Sequence, residues 1–223
     1  MKNVKKVAAM LLVAIMAFGL VGCIKAFDAT SYVQAELDLL TKHDVKQYVK
    51  VLGVSEKEAE EIYKEIIDEM NISEALLQGA EAPEEVHKGL EDWFISVLGK
   101  TKYKVLEAKE VDGNYIVVVE IEPVKALEGM TAALTTKTES YLQQVMADAA
   151  NGGEAPSEEQ ISNDMAKILV DILKDISGNV TYGEKISVET KIAKNKDGKY
   201  EIDEASFEEL GAKLIDATDS TQE

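Results

Sequence analysis

The chain has 223 residues, with 42 Asp and Glu against 24 Lys, no arginine and one cysteine, for a formal charge of −18. That length suits one domain, or at most two small ones, with a core large enough to do without disulfides. The acidity, and the absence of any guanidinium to grip phosphate in two places, exclude a nucleic-acid binder and argue against a domain lying flat on an anionic leaflet.

The N-terminus reads as an address. Lys2, Lys5 and Lys6 precede an uncharged stretch from Val7 to Val21, and small Gly22 stands before Cys23. A permanent membrane helix needs about 20 continuous apolar residues, so the length and flanks fit a cleaved export signal better. Leu20-Val21-Gly22-Cys23 resembles the lipobox of bacterial lipoproteins. The resemblance implies that Leu20, Val21, Gly22 and Cys23 are the signal-peptidase recognition residues and that 1–22 is removed. It also implies that Cys23 carries a diacylglycerol-type lipid and that the protein is anchored on the extracytoplasmic face of the cell membrane. Without residues 1–22, 201 residues remain with 21 Lys against 42 acids, a charge of −21. Residues 23–30 form a lipidated cysteine and short tether, 31–217 a single domain and 218–223 a polar tail. Six residues from Ile24 to Ala29 reach only about 20 Å when extended, so the domain works close to the membrane.

The N-terminal third predicts helices. Ser31 with Gln34 reads as a capping box, followed by the stripe Tyr32, Ala35, Leu39, Leu40. A short helix over Asp44 to Leu52 ends at Gly53. Ser55 with Glu58 caps the next, whose buried face is Ala59, Ile62, Tyr63, Ile66, Ile67 and Met70. After a weakly ordered stretch near Gly79 to Ala82, Pro83 opens a helix burying Val86, Leu90, Trp93, Phe94, Val97 and Leu98. The period then drops to two: Thr101 to Val111 and Tyr115 to Glu122 are strands around an Asp112-Gly113 hairpin turn. In the second strand, Val117, Val119 and Ile121 face one side and Ile116 and Val118 the other, which predicts partial cover on both faces.

A long helix is expected from Val124 to Ala150, with Leu127, Met130, Leu134, Tyr141, Leu142, Val145 and Met146 inward. Ser157 with Gln160 caps another, with Ile161, Met165, Ile168, Leu169, Ile172 and Ile176 as its stripe. Tyr182 to Ile192 alternates as a half-exposed strand, returning through Lys196-Asp197-Gly198-Lys199 to Tyr200–Asp203. Ser206 with Glu209 caps a last helix bearing Phe207, Leu210 and Leu214, and Asp219 to Glu223 reads as a frayed end. Asp-Gly-x-Tyr occurs in both hairpins, at Asp112–Tyr115 and Asp197–Tyr200.

These elements give an α+β fold: a four-stranded antiparallel sheet from two β-hairpins packed against amphipathic helices, behind a helical N-terminal third. That arrangement resembles the cystatin-like and nuclear-transport-factor-two-like class, apart from two helices inserted between the hairpins. Ser31-Tyr32-Val33 and Ser55–Ala59 are similar to segments of uncharacterised small Gram-positive lipoproteins. The resemblance brings no catalytic residue.

Catalytic constellations are not found. His43 and His87 lack metal-ligand spacing, and no G-x-S-x-G elbow, S-x-x-K run or phosphate-cradling loop is present, so no catalytic residue, metal or cofactor is assigned. Asn195-x-Asp197-Gly198, with Glu204 further on, falls short of a calcium loop because position 1 is Ala193; it reads as a hairpin turn. The function expected is non-catalytic binding of a small ligand or envelope component, with partners limited to the membrane through the lipid and such a ligand or envelope protein. The alternatives are a protein–protein adaptor at the cell surface and an envelope hydrolase that would need His43 or His87 beside a serine and an acid.

Overall fold

The computed structural model describes residues 27–77 and 79–219. Leu20 to Cys23, expected to form a lipobox, therefore lie outside the described residues. Five helices come first: α1 (Ala29–Lys42), α2 (Val45–Leu52), α3 (Glu56–Met70), α4 (Ile72–Leu77) and α5 (Glu84–Leu98). Strands β1 (Lys102–Val105), β2 (Lys109–Val111), β3 (Asn114–Glu122) and β4 (Val124–Lys125) precede the helices α6 (Met130–Ala150) and α7 (Glu158–Gly178). The chain closes with β5 (Thr181–Tyr182), β6 (Ile186–Lys194), β7 (Tyr200–Ile202), α8 (Glu204–Leu214) and β8 (Ile215–Asp216).

Helix starts follow the strongest nearby acceptor. α3 and α7 open on the expected reciprocal boxes, Ser55 with Glu58 and Ser157 with Gln160. At α1 and α8 an aspartate three residues upstream takes the place expected of serine. Asp28 accepts from Ser31 N at 3.0 Å and from Ser31 Oγ at 2.7 Å, and Gln34 turns instead to Asp38. Asp203 accepts from Ser206 N at 3.0 Å. A carboxylate at the positive end of a helix is the better acceptor, and both helices accordingly begin earlier than the serines indicate.

The main sheet is antiparallel in the order β1-β3-β6-β7, with β2 continuing β1 along the same edge of β3. The expected single strand over Thr101 to Val111 is broken by a bulge. Val105 pairs with Val119 but Lys109 with Ile116, so one extra residue is accommodated between them. Thr30 of α1 satisfies the break: its hydroxyl donates to Leu106 O at 3.3 Å and accepts from Ala108 N at 3.0 Å. The β3–β6 pairing, from Tyr115 with Ile192 to Ile121 with Ile186, joins the two hairpins edge to edge.

One face of this sheet is packed shut. Val117, Val119, Ile121, Thr190 and Ile192 are fully buried, with Val188 and Ile202 nearly so, in one continuous core with α1, α5 and α8. Trp93 and Phe94 belong to that core. On the other face Ile116 and Val118 are half-buried beside exposed Glu189 and Lys191, the partial cover expected of this strand. Val124 does not begin a helix. It pairs with Tyr182 and Ile215, making a second, three-stranded sheet in the order β5-β4-β8. Helix α6 therefore starts at Met130, where Gly129 adopts φ +79°.

Candidate functional site

Helices α6 and α7 form a hairpin set between the two β-hairpins. α7 ties it to the body: Val170, Ile172 and Leu173 are buried, and Lys167 Nζ meets Glu85 of α5 at 2.8 Å. Val170 sits over Gly89 of α5 so closely that a Cβ there would lie 2.6 Å from Val170 Cγ1. The missing side chain lets the two helices approach.

α6 is different: none of its 21 residues is buried. It carries three charges, Lys137, Glu139 and Asp148, in a chain that is 30 % charged. The inward face expected for Leu134, Leu142 and Met146 is not formed; they are 36 %, 49 % and 70 % exposed. Steps of four to eight residues align them along the helix. Half-buried Tyr141 and Val145 face α7 instead, and Tyr141 donates to Asp164 at 3.1 Å. Periodicity shows that α6 has an apolar side but not whether anything covers it. The N-terminus of α6 has no side-chain cap of its own. Asp219, in the stretch expected to be frayed, supplies one by accepting from Gly129 N at 3.1 Å and Thr131 N at 2.8 Å.

Between the two helices runs an open groove of about 590 Å³, lined by Lys137, Tyr141, Asp148, Asp164, Lys167 and Asp171 among others. The packed face of the main sheet, where the fold class would place a ligand pocket, is filled by the side chains of α1, α5 and α8.

A second feature escapes sequence reading. Glu36 of α1 is 1 % exposed, and neither carboxylate oxygen has a hydrogen-bond partner among the described residues. Burial holds its pKa well above the ordinary value; the Tyr48 hydroxyl faces it without full hydrogen-bond geometry and lowers it only in part. Burial likewise raises Tyr32 and Tyr48, reinforced by the charge of Glu36. Nearby Asp38 behaves oppositely. Burial pushes it up, but hydrogen bonds from Lys42, Tyr103 and Gln34 outweigh that and hold it low. The only sequence signal for Glu36 is an acid flanked by Tyr32, Val33, Ala35, Leu37 and Leu39, which normally reads as the solvent side of a helix.

The histidines lie apart from these features. His43 ends α1 at φ +53°, stacks on Tyr63 at 3.9 Å and bonds Glu60 at 2.9 Å. His87 is half-buried in the first turn of α5. Among the described residues, no hydrogen bond joins either to a serine, and no group of three or more metal-ligating side chains assembles. The Asn195 turn is a self-contained hairpin: Asn195 Oδ1 accepts from Asp197 N and Lys199 N, at 2.9 and 3.0 Å.

No protein-family model matches the sequence, and no curated protein does. The fold is similar to the crystal structure of a provisionally assigned lipoprotein, ycdA of Bacillus subtilis subsp. subtilis strain 168. The TM-score is 0.57 at 17 % identity, covering 85 % of this chain and 56 % of the other. The chain thus spans little more than half the length of that structure. At this identity the likeness shows a shared α+β fold and no activity.

Proposed function

We propose that the chain is an extracytoplasmic lipoprotein, anchored by a diacylglycerol-type lipid on Cys23, that acts without catalysis by binding an envelope protein through the outer face of α6. The lipobox supports the anchor, and the lipoprotein assignment of the structural neighbour agrees with it. Among the described residues no helix is long and apolar enough to cross a membrane.

The observation that carries the binding reading is the contrast between two apolar surfaces. The sheet face is filled by the protein's own side chains, whereas Leu134, Leu142 and Met146 stand exposed on a helix with little charge. Such a line suits helix-in-groove docking to an apolar surface, in which residues a turn or two apart act as anchors.

A photo-crosslinking residue at Met146, introduced in living cells, tests this reading. A discrete adduct with one envelope protein, absent when the crosslinker replaces Lys50 on α2, is the expected result. No adduct at Met146 would refute it. The α6–α7 groove supports a second reading, a small polar ligand held between Lys137, Lys167 and the facing acids. A saturable rise in thermal stability against amino acids, sugars or wall peptides would favour that reading. At 100 times its dissociation constant, a ligand adds about 2.7 kcal/mol.

A further inference from the structure

The two Asp-Gly-x-Tyr hairpins turn at the same end of the sheet. Lys194 N donates to Asn114 Oδ1 and the Tyr200 hydroxyl to Gly113 O, each at 3.4 Å, so the tips lie side by side. The repeated tyrosines meet there: the Tyr115 and Tyr200 rings are 5.3 Å apart, edge to face. Phe27 completes the group, stacked on Tyr200 at 4.2 Å and tilted against Tyr115 at 5.4 Å. Ring packing of this kind holds the start of the domain to the hairpin end of the sheet.

Only three residues separate Phe27 from Cys23. Whatever their conformation, that length of chain spans no more than about 14 Å. The hairpin end is therefore the end nearest the lipid. Its charge differs from that of the rest of the protein. Segment Lys194–Lys199 holds three lysines and one acid, Asp197, in a chain of net −18. Lys194 and Lys196 are exposed, and Lys194 Nζ lies 5.0 Å over the Tyr200 ring. The neighbouring tip sets Lys109 against Glu110 and Asp112, and Asp28 follows Phe27. The end as a whole is close to neutral, with a basic lip.

We propose that this hairpin end is the membrane-facing surface of the domain, its Lys194, Lys196 and Lys199 lip resting on anionic lipid headgroups. The inference rests on the lipidation of Cys23 proposed above. Each lysine near an anionic surface favours contact by about fivefold, so three favour it by about two orders of magnitude. The acidic helices are repelled by the same surface, and the domain stands on the tip of its sheet. β3 is nine residues long and so extends for about 30 Å, which places the roots of α6 and α7 at the far end, away from the lipid.

The test uses the full chain, purified as the lipoprotein and reconstituted into vesicles of phosphatidylcholine with or without phosphatidylglycerol. Cys23 is the only cysteine, and once acylated it leaves any introduced thiol unique. Val111→Cys at the hairpin end and Thr181→Cys at the opposite end are both exposed and charge-neutral. Each takes a fluorophore, which is then quenched on contact by a headgroup nitroxide lipid. The expected result is severalfold stronger quenching at position 111 than at 181 in vesicles containing phosphatidylglycerol. That excess is lost in the Lys194→Gln/Lys196→Gln/Lys199→Gln variant. It is also lost in high salt, where screening contracts from about 10 Å at 0.1 M to about 3 Å at 1 M. Equal quenching at the two positions, in protein that co-floats with the vesicles, overturns the orientation. Excess quenching that survives the lysine substitutions overturns the headgroup contact. Failure to co-float with any vesicle refutes the lipid anchor, and this inference with it.

Discussion

Gly89→Ala is the substitution that most directly tests how the body carries the α6–α7 hairpin. In isolation it favours the helix, since alanine is about 1 kcal/mol better than glycine in a helix interior. Here the new methyl would lie 2.6 Å from Val170 Cγ1 and 3.3 Å from Cγ2. Ordinary carbon contacts need about 3.5–4.0 Å, so the first overlap is close to 1 Å. Val170 cannot turn aside: it is 5 % exposed, and a β-branched side chain in a helix has essentially one rotamer. Overpacking of this kind costs about 1–3 kcal/mol, which outweighs the propensity gain and leaves a net loss of up to about 2 kcal/mol. In a Val170→Ala background the obstruction is gone, and the same substitution becomes stabilising by up to about 1 kcal/mol. Urea unfolding of the signal-free chain in all four combinations measures the coupling, expected at about 2 kcal/mol. Stabilisation by Gly89→Ala in the Val170 protein, or additivity within about 0.5 kcal/mol, would refute the close approach of α5 and α7.

Three further outcomes are expected. Because burial raises Glu36 above its ordinary 4.5, the folded chain keeps a proton that the unfolded chain releases. Stability present below pH 4.5 therefore falls as pH rises toward the folded pKa, by up to about 1.4 kcal/mol per pH unit. Glu36→Gln removes that slope, so its stability advantage over the native chain should widen through weakly acidic pH; parallel pH profiles in urea unfolding would count against a protonated Glu36. Asp219→Ala uncaps α6 at a cost of about 0.5–2 kcal/mol, visible as faster amide exchange at Gly129 and Thr131; unchanged exchange would contradict the cap. Leu142→Ser with Met146→Ser should shift stability by no more than about 0.5 kcal/mol each, as for surface positions, while abolishing the crosslink from position 134. A large loss of stability would show that this face packs against the protein itself.

Much of the secondary structure is legible in the residues because its causes are local. The boxes at Ser55 and Ser157, the stripes of α3, α5 and α8, and both Asp-Gly turns are settled by side chains within a few positions of one another. Even the two misplaced helix starts at Asp28 and Asp203 are local, a matter of ranking a carboxylate above a hydroxyl. The candidate site was less accessible. The apolar side of α6 is evident in its sequence, but its exposure follows from where α7 docks, which Gly89 and Val170 decide from positions 81 residues apart.

By itself, then, the sequence determined the acidity, most of the helices and the two hairpins. Tertiary structure alone decided that Thr30 receives a bulge 76 residues away, that Val124 pairs as a strand, that Asp219 caps α6, that Glu36 is buried, and that Phe27 joins Tyr115 and Tyr200. The physical reason is common to these cases. Propensity, periodicity and capping act over about one turn of chain, whereas burial and pairing depend on what a distant segment brings to the same place.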